Sequence, residues 1–243
     1  MAFPAPHIHP SQTAHTHTII LLHGCASDGP KFAEDFLAAK TSRNNRSLPD
    51  CLPSWRWVFP HPETELQVEG LEESVAHILD LLEKEIRLLD GKASHMYLDG
   101  ISQGMATALW AVEDIIQRQQ PETADASGLD AVPGKSRLQH LVTGFFVRKI
   151  GDVPVSHADA VSILTTPVLL GHGSDDAWVA VELGQQTVRF LQEAMGEIDV
   201  EGMEYSGAEV AGHWIKEPEE FDRILAFLEG DAEGEANLEQ MKP

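Results

Sequence analysis

The sequence predicts an α/β protein with a mostly parallel central sheet and helices on both faces. Three observations carry that expectation. Short apolar runs alternate with longer amphipathic stretches along most of the chain. Two of the runs, Thr18-Ile19-Ile20-Leu21-Leu22 and Pro167-Val168-Leu169-Leu170, are almost continuously apolar, as strands buried on both faces require. Both run into glycine-containing turns, at His23-Gly24 and at Gly171-His172-Gly173. Strands that alternate with helices connect through crossovers and so lie parallel.

The elements follow in order. After the first strand, Lys31 to Lys40 reads as a short amphipathic helix, and Trp55-Arg56-Trp57-Val58-Phe59 as a second strand stopped by Pro60 and Pro62. From Leu71 to Leu89, Leu71, Val75, Ile78, Leu79, Leu82, Ile86 and Leu89 recur at helical spacing, with charge on the opposite face. A strand at His95-Met96-Tyr97-Leu98-Asp99 precedes a helix from Gln103 through Ala106, Leu109, Val112 and Ile116. Gln119 to Ser136 lacks periodicity and reads as a loop or lid insertion. Strand character returns over His140 to Val147, then Pro167 to Leu170; a helix follows over Leu183 to Met195 and a strand over Val200 to Tyr205. A last helix spans Pro218 to Leu228, with Pro218 suited to its first position and Glu219 and Glu220 to its positive end. There is no internal repeat.

Length and charge bound the rest. The 243 residues, 42% hydrophobic, fit one domain over residues 18–228, between a flexible N-terminal segment (residues 1–17) and an acidic tail (residues 229–243). A net charge of −22 argues against nucleic acid and anionic membrane surfaces as partners and leaves a homodimer open. Two cysteines, Cys25 and Cys51, are too few for a disulfide framework. With no secretory signal and no apolar run near the ~20 residues of a membrane span, the expected location is cytoplasmic.

The chemistry centres on Gly100-Ile101-Ser102-Gln103-Gly104, a G-x-S-x-G box at the predicted joint of strand and helix. A serine on such a turn stands proud of the sheet beside amide groups that a helix start leaves unpaired. Its hydroxyl needs a base to become a nucleophile. In parallel sheets reactive groups collect at the carboxyl ends of strands, which selects two loops. Gly171-His172-Gly173-Ser174-Asp175-Asp176 offers an acid, either Asp175 or Asp176, and Gly212-His213 offers the base. The order serine, acid, histidine is that of a hydrolytic triad, with the amides of Cys25 and Gln103 placed to hold an oxyanion. His7, His9, His15 and His17 could take up a metal only adventitiously, since no carboxylate or cysteine completes a set, and neither metal nor cofactor is expected.

Leu22-His23-Gly24, Gly100-Ile101-Ser102-Gln103-Gly104-Met105, His172-Gly173-Ser174-Asp175-Asp176 and Gly212-His213 together resemble the acyl-protein thioesterase, carboxylesterase and lysophospholipase branch of the α/β-hydrolases. The resemblance covers roughly Thr18 to Leu228. It implies an α/β-hydrolase fold, makes Asp176 rather than Asp175 the acid beside Ser102 and His213, and implies a serine esterase or thioesterase acting on a small-molecule or lipid-like acyl substrate. Met105, Trp178 and Trp214 are the substrate-binding candidates. The chain departs from that branch where Ala26-Ser27-Asp28-Gly29 follows the first turn, where Met105 replaces a glycine, where Ala177-Trp178 follows the acid, and where Pro62 to Leu71 lacks the branch's acyl-channel pattern. An acyltransferase, lactonase or cyclase would use the same triad. A non-catalytic binding protein on this fold is the reading from another class.

Overall fold

The computed structural model of the chain describes residues 3–25, 27–61, 68–119, 145–150, 167–195 and 200–240. Seven strands form one sheet in the order β1-β3-β2-β4-β5-β6-β7. They are β1 (His7–His9), β2 (His17–Leu22), β3 (Trp55–Phe59), β4 (Met96–Ile101), β5 (Phe145–Ile150), β6 (Val168–Gly173) and β7 (Val200–Tyr205). Five strands run one way, and β1 and β5 run against them. The sheet is therefore mixed, with parallel strands in the majority.

The helices are α1 (Gly29–Ala38), α2 (Leu48–Cys51), α3 (Val68–Leu88), α4 (Gln103–Gln119), α5 (Val181–Met195) and α6 (Glu219–Gln240). Because side chains alternate across a strand, β2 feeds two separate cores. Ile20 and Leu22 pack with Val75, Ile78 and Leu82 of α3, Leu109 and Val112 of α4, and Leu191 of α5. Ile19 and Leu21 pack with Phe32 and Phe36 of α1, Leu48 of α2, and Phe221, Ile224 and Leu225 of α6. All six residues of β2 are buried, which accounts for its uninterrupted apolar sequence. Asp28 starts α1 by accepting a hydrogen bond from the Lys31 amide at 2.8 Å, with proline in the first turn. A paired contact, Arg56 Nε to Glu85 Oε2 at 2.9 Å and Nη2 to Oε1 at 3.3 Å, ties β3 to α3.

Two terminal expectations change. Residues His7–His9, inside the segment read as flexible, form β1 and pair antiparallel with His9↔Trp57 to His7↔Phe59 on β3. Three residues with histidine on either side of one isoleucine carry too little pattern to read as a strand, and it is the partner's edge that organises them. At the other end α6 runs on through residues assigned to the acidic tail, to Gln240. Ala, Leu, Glu and Gln there are good helix formers, and no proline stops the helix. The helix begins at Glu219, one residue after the expected Pro218. Of the expected insertion, Gln119 is the last residue of α4, and 120–136 lies outside the described residues.

The last helix is integral to the second core, since Phe221 is fully buried there. Phe221→Ala should lower unfolding free energy by about 3–5 kcal/mol in urea titration. A loss below about 1 kcal/mol would mean α6 is not part of the cooperative unit.

Candidate active site

The serine turn is shaped by a tight fit between β2 and the start of α4. A Cβ placed on Gly104 would lie 2.2 Å from the Leu22 carbonyl oxygen, so only glycine lets the helix start press this closely on the strand. Between β4 and α4, Ser102 is held at φ 55°, in the left-handed region that costs a non-glycine residue about 1–3 kcal/mol. Its carbonyl accepts the amides of Met105 at 3.0 Å and Ala106 at 3.3 Å, so the strained residue also opens the helix. The turn after β2 also approaches the serine, less tightly. A Cβ on Gly24 would stand 3.4 Å from Ser102 Oγ.

That second turn brings Cys25 beside Gln103. The exposed Cys25 thiol donates to Gln103 Oε1 at 3.0 Å, so the two residues expected to supply oxyanion amides touch through their side chains. The Gln103 amide belongs to the first turn of α4, whose N–H groups have no partner within the helix.

The acid and base come from the far side of the sheet. His213 Nδ1 donates to Asp176 Oδ2 at 2.6 Å, and the Asp176 side chain is 1% exposed. Asp176 Oδ1 accepts the amides of Trp178 at 2.8 Å and Val179 at 3.0 Å. Burial would raise this carboxyl. The hydrogen bonds from His213, Val179 and Trp178 outweigh burial and hold it below the usual carboxylate range. Because a carboxylate only accepts, the His213 Nδ1 carries a proton in this hydrogen bond. Asp175, the other candidate acid, instead accepts the Gly207 amide through Oδ2 at 2.9 Å. It holds one loop to the next.

Those two loops are joined at several points. Ser174 Oγ donates to the Tyr205 carbonyl at 2.9 Å, and the Ala177 amide donates to the Ala211 carbonyl at 3.0 Å. His172 is buried at the end of β6, with Nε2 3.0 Å from the Val179 carbonyl and 3.7 Å from Asp176 Oδ2. It braces the loop that presents the acid. Asp99, buried on β4, is pushed well above the usual carboxylate range by burial, against a backbone hydrogen bond from Gly100.

Ile101, the neighbour of Ser102, lines one small cleft with Asp176, Tyr205, His213 and Trp214. The structure thus brings the elbow, the acid and the base to the same end of the sheet, at the carboxyl ends of β4, β6 and β7. A separate cavity of about 250 Å³ lies between α5 and the strands β6 and β7, and contains neither Ser102 nor His213. Among the described residues, no group of three or more potential ligands converges on a metal position.

The three substrate-binding candidates part company. Met105 is completely buried in the core beneath α4, so it does not face a substrate. One residue after Gly104 its side chain follows the helix face that meets the sheet. Trp214 shares the cleft with His213 while its ring meets Phe32 edge-on at 5.9 Å, so it also braces α1. Trp178 lies outside, 69% exposed, with its indole stacked on His213 at 5.5 Å and 15°. Val210 escaped the sequence reading. It is 52% exposed and sits at φ 54°, followed by Ala211 at φ 55°. Nothing in Glu209-Val210-Ala211-Gly212 signals a left-handed valine, since β-branched residues avoid that region.

No protein-family model matches the sequence, and no curated protein matches it significantly. Solved structures do match the fold. An acyl-protein thioesterase 2 from Zea mays aligns at TM-score 0.58 and 21% identity, covering 94% of this chain and 99% of its own. Esterase PE8 aligns at TM-score 0.60 and 21% identity, covering 93% and 98%. A monoacylglycerol lipase from Paleococcus ferrophilus aligns at TM-score 0.50 and 15% identity, covering 94% and 100%. Identity this low speaks to architecture and not to substrate. The near-complete coverage on both sides, with one mostly parallel sheet, leads to one conclusion: this chain has the α/β-hydrolase fold.

Proposed function

We propose that the protein is a serine hydrolase that cleaves a carboxylic ester or thioester through an acyl-enzyme. The observation that carries this reading is the 2.6 Å Asp176–His213 hydrogen bond in a cleft that Ile101, the neighbour of the left-handed Ser102, also lines. Ser102 Oγ attacks the acyl carbon as His213 Nε2 takes its proton. Asp176 fixes the ring with Nδ1 protonated and stabilises the imidazolium that forms. The amides of Cys25 and Gln103 receive the oxyanion, which bears its full charge only in the tetrahedral intermediate and its flanking transition states. His213 then gives the proton to the leaving group and afterwards activates water against the acyl-enzyme. No step calls for a cofactor. The matched structures bear the names of a thioesterase, an esterase and a lipase, which supports acyl transfer to water as the chemistry.

Both cysteines are free thiols, and among the described residues no helix is long and apolar enough to cross a membrane. These features support a reducing, cytoplasmic setting.

Incubation with a fluorophosphonate, followed by intact-mass spectrometry and peptide mapping, should give one stoichiometric adduct on Ser102, lost in Ser102→Ala. Folded protein without an adduct would remove the hydrolase reading in favour of a binding protein. In ester turnover, Asp176→Asn should cost about 10⁴-fold in kcat, as loss of the orienting acid does elsewhere. Asp175→Asn should cost less than about tenfold, and equal losses would reject the assignment of the acid. Acid titration offers a third check. A carboxyl whose folded pKa is lowered stabilises the protein above its unfolded value, and that contribution is lost as pH falls through the folded one. The stability advantage of the native chain over Asp176→Asn should thus be complete at neutral pH and shrink below about pH 4. An advantage that grows in acid would contradict the hydrogen-bonded carboxylate.

A further inference from the structure

Among the described residues, four large hydrophobic side chains are exposed: Ile8, Leu88, Trp178 and Val210. Two of the four sit on the two loops that meet at His213. Trp178 lies over the imidazole with nearly parallel rings. Val210 accepts the His213 amide through its carbonyl at 3.1 Å. Their loops are fastened together next door, where the Ala177 amide meets the Ala211 carbonyl at 3.0 Å.

Neither exposure has a structural explanation. An indole left 69% in water contributes little burial energy, and stacking on a ring already fixed by Asp176 does not require so large a side chain. Val210 adds strain to exposure. A β-branched residue at φ 54° is an outlier, and glycine would occupy that position at lower cost. Strained backbone and exposed aromatic area on two joined loops at a histidine mark a surface shaped for a ligand.

We propose that Trp178 and Val210 form the subsite for the leaving group, and that this leaving group is an apolar alcohol or phenol. The inference rests on the ester-hydrolysis reading above and assigns one end of the substrate. In acylation the Ser102 Oγ–carbon bond forms and the carbon–oxygen bond of the ester breaks. The proton passes from Oγ to His213 Nε2 and then to the departing oxygen. That oxygen must lie within hydrogen-bond reach of Nε2, so its substituent leaves alongside the imidazole. Trp178 is the apolar surface there. The acyl group stays on Ser102 and is bound elsewhere. Charge narrows the class further. Residues 173–180 and 206–215 hold Asp175, Asp176 and Glu209 and no lysine or arginine. A polyanionic leaving group such as a nucleotide-bearing thiol would find no cation on these two loops.

The test uses two neutral esters that share an acyl group, phenyl acetate and methyl acetate, with kcat/KM as the readout. Both form the same acetyl-enzyme, so any difference belongs to the leaving group. Trp178→Ala should lower kcat/KM for phenyl acetate by about 3- to 10-fold more than for methyl acetate, the size of one aromatic contact. Trp178→Phe should restore most of it. Val210→Gly should lower the phenyl ester selectively too, without loss of thermal stability. Trp178 is largely exposed, so folding of these variants is not in question. Equal losses on both esters would overturn the subsite and make Trp178 a residue that positions His213. An unchanged ratio with normal turnover would overturn it as well. If the native chain takes a fluorophosphonate on Ser102 yet shows no phenyl preference, the hydrolase reading stands and the subsite fails. Absence of the adduct removes both.

Discussion

The approach of α4 to β2 at Gly104 governs the rest of this end of the molecule. With no side chain between the helix start and the Leu22 carbonyl, the turn before α4 is driven down onto the neighbouring strand. Ser102 takes up the resulting strain at φ 55°. The loop after β2 also comes against the serine at Gly24, and there the Cys25 thiol meets the Gln103 side chain. The backbone of Ser102 and the meeting of Cys25 with Gln103 thus gather around one packing contact. That contact is sustained by two hydrophobic cores rather than by polar bonds.

Electrostatics at the site depend on which buried groups are allowed a charge. Asp176 is nearly inaccessible yet ionised, because three N–H donors face its two oxygens. Burial pushes Asp99 well above the usual carboxylate range despite a backbone hydrogen bond from Gly100, and lowers the affinity of His23 for a proton. The Asp176 carboxylate, held low by its donors, is the group bonded to His213. In a chain of net charge −22, the local arrangement of donors decides the chemistry and the overall charge does not.

Much of this was legible in the sequence because it follows from side-chain period. The strands β3 and β7 and the helices α3, α4 and α5 are set by apolar spacing that few alternatives would bury. Other elements are set by neighbours instead. β1 has one apolar residue and exists as an edge partner for β3, and the four-residue α2 is too short for a period to show. The strands β4 and β6 extend past their apolar runs into Gly100-Ile101 and Gly171-His172-Gly173, because pairing with β5 and β7 satisfies their backbone. At the site, chain order suggested Ser102, Asp176 and His213, and the loop contacts separated Asp176 from Asp175. Met105 misled, since a residue beside the serine in sequence faces the core once the helix begins. The backbone of Val210 carried no signal at all.

The placement of α6 bears on how the polypeptide is made. Phe221, Ile224 and Leu225 complete the core begun by Ile19, Leu21, Phe32 and Phe36. Asp222 accepts the Ser42 amide at 2.7 Å, and Glu229 pairs with Arg43. A ribosome delivers the first of these segments long before the last. Until the C-terminal helix emerges, one face of the nascent sheet lacks its cover, and β2 must wait with its apolar side chains in water or in a chaperone's keeping. The chain closes its fold by returning to where it started.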